Sequence, residues 1–380
     1  MAPLGLYIHV PFCRHLCSYC NFTRGLLDAP LKTRYVSAVH TQIARVSAGA
    51  GPAALRTADT IYFGGGTPSL LAPTEIAGII ESCRQHFEVA NRAEITMEVN
   101  PDTASPEALS GFREAGVNRL SIGVQSFRDD ELQRLGRIHD AATARRAVAA
   151  ARSAGFDNIS LDLMMWLPGQ TLADWRQSVE ALIDLAPDHA SLYMLELYPH
   201  APLRAEMARA RLTQGSDDEA ADMYELAMEM TADAGLAQYE ISNVARPGRE
   251  SAHNLKYWTD GEWYGFGPGA HSTVGGVRWS AVSATGAFVS AIEAGSDAQT
   301  DRRVLSAQDR WQEALITGLR LVCGVDELEV HRKYGLDLWA RYGDHLLPYV
   351  DAGVIWREDG RLRLSRRGLL LANEVLAVFI

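Results

Sequence analysis

Six short apolar runs alternate with five amphipathic stretches across the first half of this 380-residue chain, and that alternation limits the fold more than any other feature. The runs are Leu6–Val10, Thr60–Phe63, Glu94–Val99, Arg119–Val124, Ile159–Met164 and Ala190–Leu195. The stretches between them are Leu31–Ala48, Pro73–His86, Pro106–Ala115, Ala141–Ala154 and Leu172–Leu185. Strand then helix, repeated, predicts a parallel sheet with right-handed crossovers. Six units predict an α/β fold: a partial (βα)6 barrel related to the eight-fold TIM barrel. Chemistry in such barrels gathers at the C-terminal ends of the strands.

Polar residues fall at those ends. Cys13, Cys17 and Cys20 follow the first run, and Gly64-Gly65-Gly66-Thr67-Pro68 follows the second. Glu98 ends the third, Gln125 follows the fourth and Asp162 lies on the fifth. The spacing C-x3-C-x2-C brings three thiolates close enough for three corners of a cubane iron–sulfur cluster. Ordinary electron-transfer cubanes take four cysteines, so one iron would stay open to a small molecule. Two other readings stand beside it: zinc with His9 or His15 as fourth ligand, or a disulfide with a spare thiol. Zinc sites usually add a second C-x2-C knuckle, which is missing, and a reducing compartment disfavours disulfides. Cys83 and Cys323 sit in apolar helical patterns and read as small core residues.

The chain is 47% hydrophobic with a net charge of −11, which disfavours broad nucleic-acid binding. The first residues run into a strand without a charged n-region and apolar h-region, and no apolar run reaches about 18 residues. The expectation is a cytoplasmic protein with at most a peripheral membrane role.

Three regions are expected: 1–200 as the barrel, 201–296 as an extension and 297–380 as a C-terminal α+β, winged-helix-like module. Arg204–Ala234 reads as helix interrupted near Gly215-Ser216, Ser242–Gly276 as irregular loops with short strands, and Gly295–Arg303 as a linker. The last region reads as helices Ala307–Leu321 and Asp337–Ala352, a hairpin turning at Asp359-Gly360, and a final helix Ser365–Val378. In an acidic chain this module reads as a packing or cap domain rather than a DNA-binding one.

The run Tyr7-Ile8-His9-Val10-Pro11-Phe12-Cys13-Arg14-His15-Leu16-Cys17-Ser18-Tyr19-Cys20 resembles the radical S-adenosylmethionine (SAM) superfamily. Four further phrases narrow the resemblance: Ile61-Tyr62-Phe63-Gly64-Gly65-Gly66-Thr67-Pro68-Ser69, Glu98-Val99-Asn100-Pro101, Gly123-Val124-Gln125-Ser126-Phe127 and Asp162-Leu163-Met164. Together they are similar to the branch holding the coproporphyrinogen III dehydrogenase HemN and the haem chaperone HemW. The resemblance implies a [4Fe–4S] cluster on Cys13, Cys17 and Cys20. It also implies a SAM site built from Tyr7, Tyr19, Gly65, Gly66, Thr67, Glu98, Gln125, Arg137 and Asp162. The cluster's open iron would chelate SAM, and that hard chemistry belongs to the cofactor. Glu98 and Asp162 also read as buried carboxylates, and Arg137 as a surface charge.

HemN-type oxidases carry a further cysteine where this chain has Phe22, and a long N-terminal arm; only twelve residues precede Cys13 here. Both features lean toward the HemW side, although many such sequences have Asp in place of Asn21. His253-Asn254-Leu255-Lys256-Tyr257-Trp258 matches the HNxxYW motif linked there to haem binding. Imidazole is a natural axial ligand and Tyr257 and Trp258 can pack on a macrocycle. The other reading makes His253 a hydrogen-bonded residue in a structured loop; His271 is a candidate second ligand. The resemblance therefore implies a haem-binding chaperone that passes haem to respiratory haemoproteins at the cytoplasmic membrane face, with room for a homodimer. The competing reading is a radical-SAM enzyme acting on a porphyrinogen, or a C-methyltransferase.

Overall fold

The computed structural model describes residues 2–50, 56–199 and 201–380. Strand β1 (Leu4–Val10) is followed by the short pair β2 (Phe12–Cys13) and β3 (Gly25–Leu26), then by β4 (Thr57–Gly65), β5 (Glu88–Val99), β6 (Arg119–Gln125), β7 (Ile159–Met165) and β8 (His189–Met194). Helices α1 (Ala29–Gly49), α2 (Pro73–His86), α3 (Pro106–Glu114), α4 (Asp129–Arg134), α5 (Ala141–Ser153) and α6 (Leu172–Asp184) lie between the long strands. Strands β1, β4, β5, β6, β7 and β8 are parallel and neighbour one another in chain order, the arrangement of a partial barrel. Asp28, Ser105, Asp140 and Thr171 cap helices α1, α3, α5 and α6 by accepting from a backbone N–H of the first turn.

Two-residue periodicity sorts each strand. On β6, Leu120, Ile122 and Val124 are fully buried in the hydrophobic core, while Ser121 and Gln125 face the barrel interior. This leaves an interior lined by polar groups, surrounded by an apolar layer under the helices.

The second region extends the sheet at both edges. After α7 (Pro202–Ala210) and α8 (Asp217–Asp233), β9 (Ala237–Glu240) and β10 (Asn243–Ala245) add to β8. Helix α9 (Ala252–Trp258) precedes β11 (Glu262–Phe266), which pairs parallel to β1. The strands β12 (His271–Val274), β13 (Val277–Ala281) and β14 (Gln299–Val304) then continue antiparallel, with α10 (Thr285–Glu293) before the last of them, completing a 12-stranded sheet. Two expectations are corrected here. Ser242–Gly276 is not irregular throughout, because it holds α9. The linker expected at Gly295–Arg303 is largely β14, hydrogen-bonded to β13. Strand β14 is an edge whose side chains are nearly all exposed, so it carries no apolar alternation; only backbone pairing defines it.

The C-terminal module contains α11 (Ala307–Gly318), β15 (Val325–Asp326), α12 (Glu327–Tyr334), α13 (Leu338–Asp351), the hairpin β16 (Ile355–Glu358) and β17 (Arg361–Leu364), then α14 (Arg366–Leu370) and α15 (Ala372–Leu376). Its three strands run in the order β15-β17-β16, giving the helices-plus-wing form. Helix α12 was not legible, since Val330 is its one buried residue. The expected single final helix breaks at Leu371. Cys83 is buried as expected, but Cys323 is exposed in the turn after α11 rather than in a core. Apolar residues of this module join the same hydrophobic core as the barrel.

Candidate functional site

The cysteine loop is closed by backbone pairing at its base: Gly25 N donates to Pro11 O at 2.7 Å and Leu27 N to Cys13 O at 2.9 Å. All three thiols are free and line one cavity of about 490 Å³ at the C-terminal ends of the strands. Thr67 Oγ1 donates to Cys13 Sγ at 3.6 Å, and Arg137 Nη1 donates to Cys17 Sγ at 3.6 Å. Arg24 Nη2 donates to the Cys17 carbonyl at 3.0 Å. Burial pushes the Cys13 and Cys20 thiols up. Among the described residues no three His, Cys, Asp or Glu side chains converge on a single metal ion. Three free thiols lining one cavity fit an iron–sulfur cluster, and hydrogen bonds to the sulfurs are the usual means of tuning one.

His9 is not free to ligate a metal. Its Nε2–H donates to the Thr23 carbonyl at 2.7 Å, which leaves Nδ1 to accept from Tyr7 Oη at 3.0 Å. The imidazole therefore braces the cysteine loop against the barrel. It also explains Gly65, which has φ +110° and whose added Cβ would lie 2.5 Å from His9 Cε1. At Gly66 a Cβ would stand 2.7 Å from Phe12 O and 2.9 Å from Val10 O. The glycines are demanded first by close contact with the end of β1 and with Phe12, where the cysteine loop begins.

Of the residues expected around SAM, Tyr19, Gly65, Gly66, Thr67, Glu98, Gln125, Arg137 and Asp162 line this cavity. Tyr7 is not among its lining residues; its ring stacks on Tyr62 with centroids 6.1 Å apart. Glu98 accepts from Tyr62 Oη at 3.0 Å and from Gly65 N at 3.0 Å. Burial, reinforced by the Asp162 carboxylate, pushes the Glu98 carboxyl up to about 7. Asp162 accepts from Ser121 Oγ at 3.0 Å, and burial raises it too. Gln125 has φ +71° and accepts from Tyr193 Oη at 2.8 Å. Arg137 donates from Nη2 to Asn100 Oδ1 at 2.9 Å and to the Gly123 carbonyl at 2.8 Å. Sequence reasoning missed Tyr62, Asn100, Ser121, Ser191, Tyr193 and Asn243 as lining residues. The two-residue spacing of Ser191 and Tyr193 on the last barrel strand was the available signal.

The HNxxYW residues occupy helix α9, not a loop. Ser251 caps it, and the Glu94 carboxylate on β5 accepts from Ala252 N at 3.1 Å and His253 N at 3.2 Å. Lys256 pairs with Asp59 at 2.5 Å and donates to the Pro3 carbonyl at 3.2 Å. These contacts lie at the N-terminal ends of the barrel strands, so α9 plugs the barrel from below. His253 is 1% exposed. Its Nδ1 bonds Thr60 Oγ1 at 2.8 Å, its Nε2 bonds Tyr257 Oη at 3.0 Å, and its ring lies 5.1 Å from that of Tyr62. Burial, then Lys256 and Arg119, lowers His253 to about 3, so it stays neutral. Asn254 reaches the barrel cavity, while Trp258 lines a separate groove, its ring under Arg320 at 4.4 Å. Tyr257 packs edge-on against Trp263. His271 is exposed on β12, away from both.

Among the described residues no helix is long and apolar enough to cross a membrane. The Radical SAM superfamily model matches residues 7–182, and the HemN C-terminal domain model matches residues 305–371. The heme chaperone HemW of Bacillus subtilis is 35% identical, covering 98% of both chains. HemW of Mycobacterium tuberculosis is 34% identical over 100% of this chain and 95% of its own. Among solved structures, the coproporphyrinogen III oxidase HemN from Escherichia coli superposes with a TM-score of 0.87 over 99% of this chain and 90% of its own, at 23% identity, which speaks for the fold. With its cysteine loop, glycine turn and C-terminal module placed as described, the chain belongs to the HemN/HemW branch of the radical SAM superfamily.

Proposed function

We propose that this protein is a haem chaperone that binds haem, a [4Fe–4S] cluster and SAM, and delivers haem to respiratory haemoproteins at the cytoplasmic membrane face. The observation that carries the reading is end-to-end similarity to proteins named heme chaperone HemW, at 35% identity over 98% of the Bacillus subtilis protein. Cys13, Cys17 and Cys20 would hold the cluster, and Gly65, Gly66, Thr67, Glu98, Gln125, Arg137 and Asp162 would line the SAM site. When bound, the cluster supplies a Lewis-acidic iron and an electron. The chain's own residues supply the rest: Arg137 fixes the Cys17 side of the loop, His9 fixes the Thr23 side, and the Glu98 carboxyl sits ready to accept from a donor at the glycine turn.

The test is anaerobic purification and reconstitution, EPR of the reduced protein, and titration with haemin followed by visible spectroscopy. Cluster formation with stoichiometric haemin uptake is the expected result. Incubation with dithionite, SAM and coproporphyrinogen III distinguishes the alternative: substrate-dependent 5′-deoxyadenosine with vinyl product would make the protein an oxidase instead.

A further inference from the structure

The motif expected to ligate haem is closed in this fold. Both imidazole nitrogens of His253 are already bonded, the ring is sandwiched in the barrel floor, and an iron at either nitrogen would displace Thr60 or Tyr257 from a buried site. Leaving either hydroxyl unpaired there is costly.

The opposite end of the barrel has what a haem needs. His15 lies in the cysteine loop, is exposed, lines the cavity and has no hydrogen-bond partner among the described residues. The same cavity is lined by exposed apolar and aromatic side chains, Phe22 at 63%, Met194 at 36% and Tyr198 at 39%, with the exposed Glu196 carboxylate accepting from Tyr198 Oη. Leu16, next to His15 in the loop, is exposed as well. These come from two separate segments, the cysteine loop and the end of β8, yet meet at one mouth. Exposed apolar side chains from two segments lining one cavity mark a binding surface rather than scattered single exposures. Arg24, which donates to the Cys17 and Phe22 carbonyls, also lines the cavity and places a cation there for an anionic substituent. A free imidazole, exposed apolar side chains and a cation suit a metal-bearing macrocycle with carboxylate side arms.

Resting on the chaperone reading, we infer that haem docks across the cavity mouth with His15 as an axial ligand, and that His253 is a positioning residue that locks α9 into the barrel floor. Haem then covers the cysteine loop and the cavity beneath it.

Haemin titration of the full, cluster-reconstituted chain tests this. In His15→Ala the Soret band should shift and haemin binding weaken at least tenfold, while the EPR signal of the cluster persists. Phe22→Asp should weaken binding without moving the Soret band. His253→Gln, which keeps a side-chain hydrogen-bonding group in the floor, should leave the Soret band where it is in the unaltered chain. Identical Soret position and affinity in His15→Ala overturn the inference and leave the chaperone reading standing. A Soret shift in His253→Gln with none in His15→Ala assigns the iron to the floor and overturns it as well. Failure of the unaltered chain to take up haemin overturns both.

Discussion

Arg137 donates from Nη1 to Cys17 Sγ at 3.6 Å, joining the segment after β6 to a loop 120 residues earlier. Its other nitrogen holds Asn100 and the Gly123 carbonyl. One guanidinium thus fixes the cysteine loop to the ends of two barrel strands, which an ammonium cannot do with the same geometry. Arg137→Lys should lower stability by about 1–3 kcal/mol through unpaired acceptors. Iron and sulfide bound per chain after reconstitution should also fall, checked by urea melts and metal analysis. Unchanged cluster content would remove Arg137 from the loop's support.

Gly66 has no room for a side chain. A methyl group there meets two backbone carbonyls, which cannot rotate away as a flexible side chain would. Gly66→Ala should therefore cost about 2–4 kcal/mol, in the range for severe overpacking. It should also displace the cysteine loop, so that both the thermal midpoint and cluster uptake drop. Gly248→Ala is the surface control, since nothing lies near its Cβ position, although its φ of +75° carries a smaller backbone penalty.

The Glu98 carboxyl is raised to about 7 from an ordinary value of 4.5. Between those values the unfolded chain releases a proton that the folded chain keeps, so this group makes stability fall as pH rises through that window. Glu98→Gln should remove that fall, worth on the order of 2–3 kcal/mol. Urea melts at pH 5 and pH 7 on the two proteins measure the difference; parallel pH profiles would contradict it.

His253 acts in the opposite direction. Lowered to about 3 from 6.5, it stays neutral in the fold while the unfolded chain takes up a proton. Its contribution is full above pH 6.5 and is lost as pH falls toward 3. His139, lowered to about 4 chiefly by burial, adds to the same acid limb. His253→Phe should flatten that limb. It should also destabilise the protein at pH 7 by about 2–4 kcal/mol, because Thr60 and Tyr257 lose their partner. A loss at pH 7 with an unchanged acid limb would place the charge elsewhere.

Local pattern made the barrel legible. Leu120, Ile122 and Val124 alternate with Ser121, Gly123 and Gln125, and that period of two marks both the strand and its two faces. The cysteine loop and glycine turn were equally legible because their residues are adjacent in sequence. Strand β14 and helix α12 were not, since one is held by backbone pairing and the other by a single buried side chain.

What the sequence determined alone was the alternation of strands and helices, the three closely spaced thiols and the family to which these motifs belong. Only the tertiary structure decided that His9 braces Thr23, that Arg137 reaches Cys17, and that His253 lies bonded at both nitrogens in the barrel floor while His15 stands open at its mouth. A motif fixes which groups are present. Whether a nitrogen is free depends on which distant hydroxyls and carbonyls the fold brings within hydrogen-bond reach, and burial leaves no water to take their place.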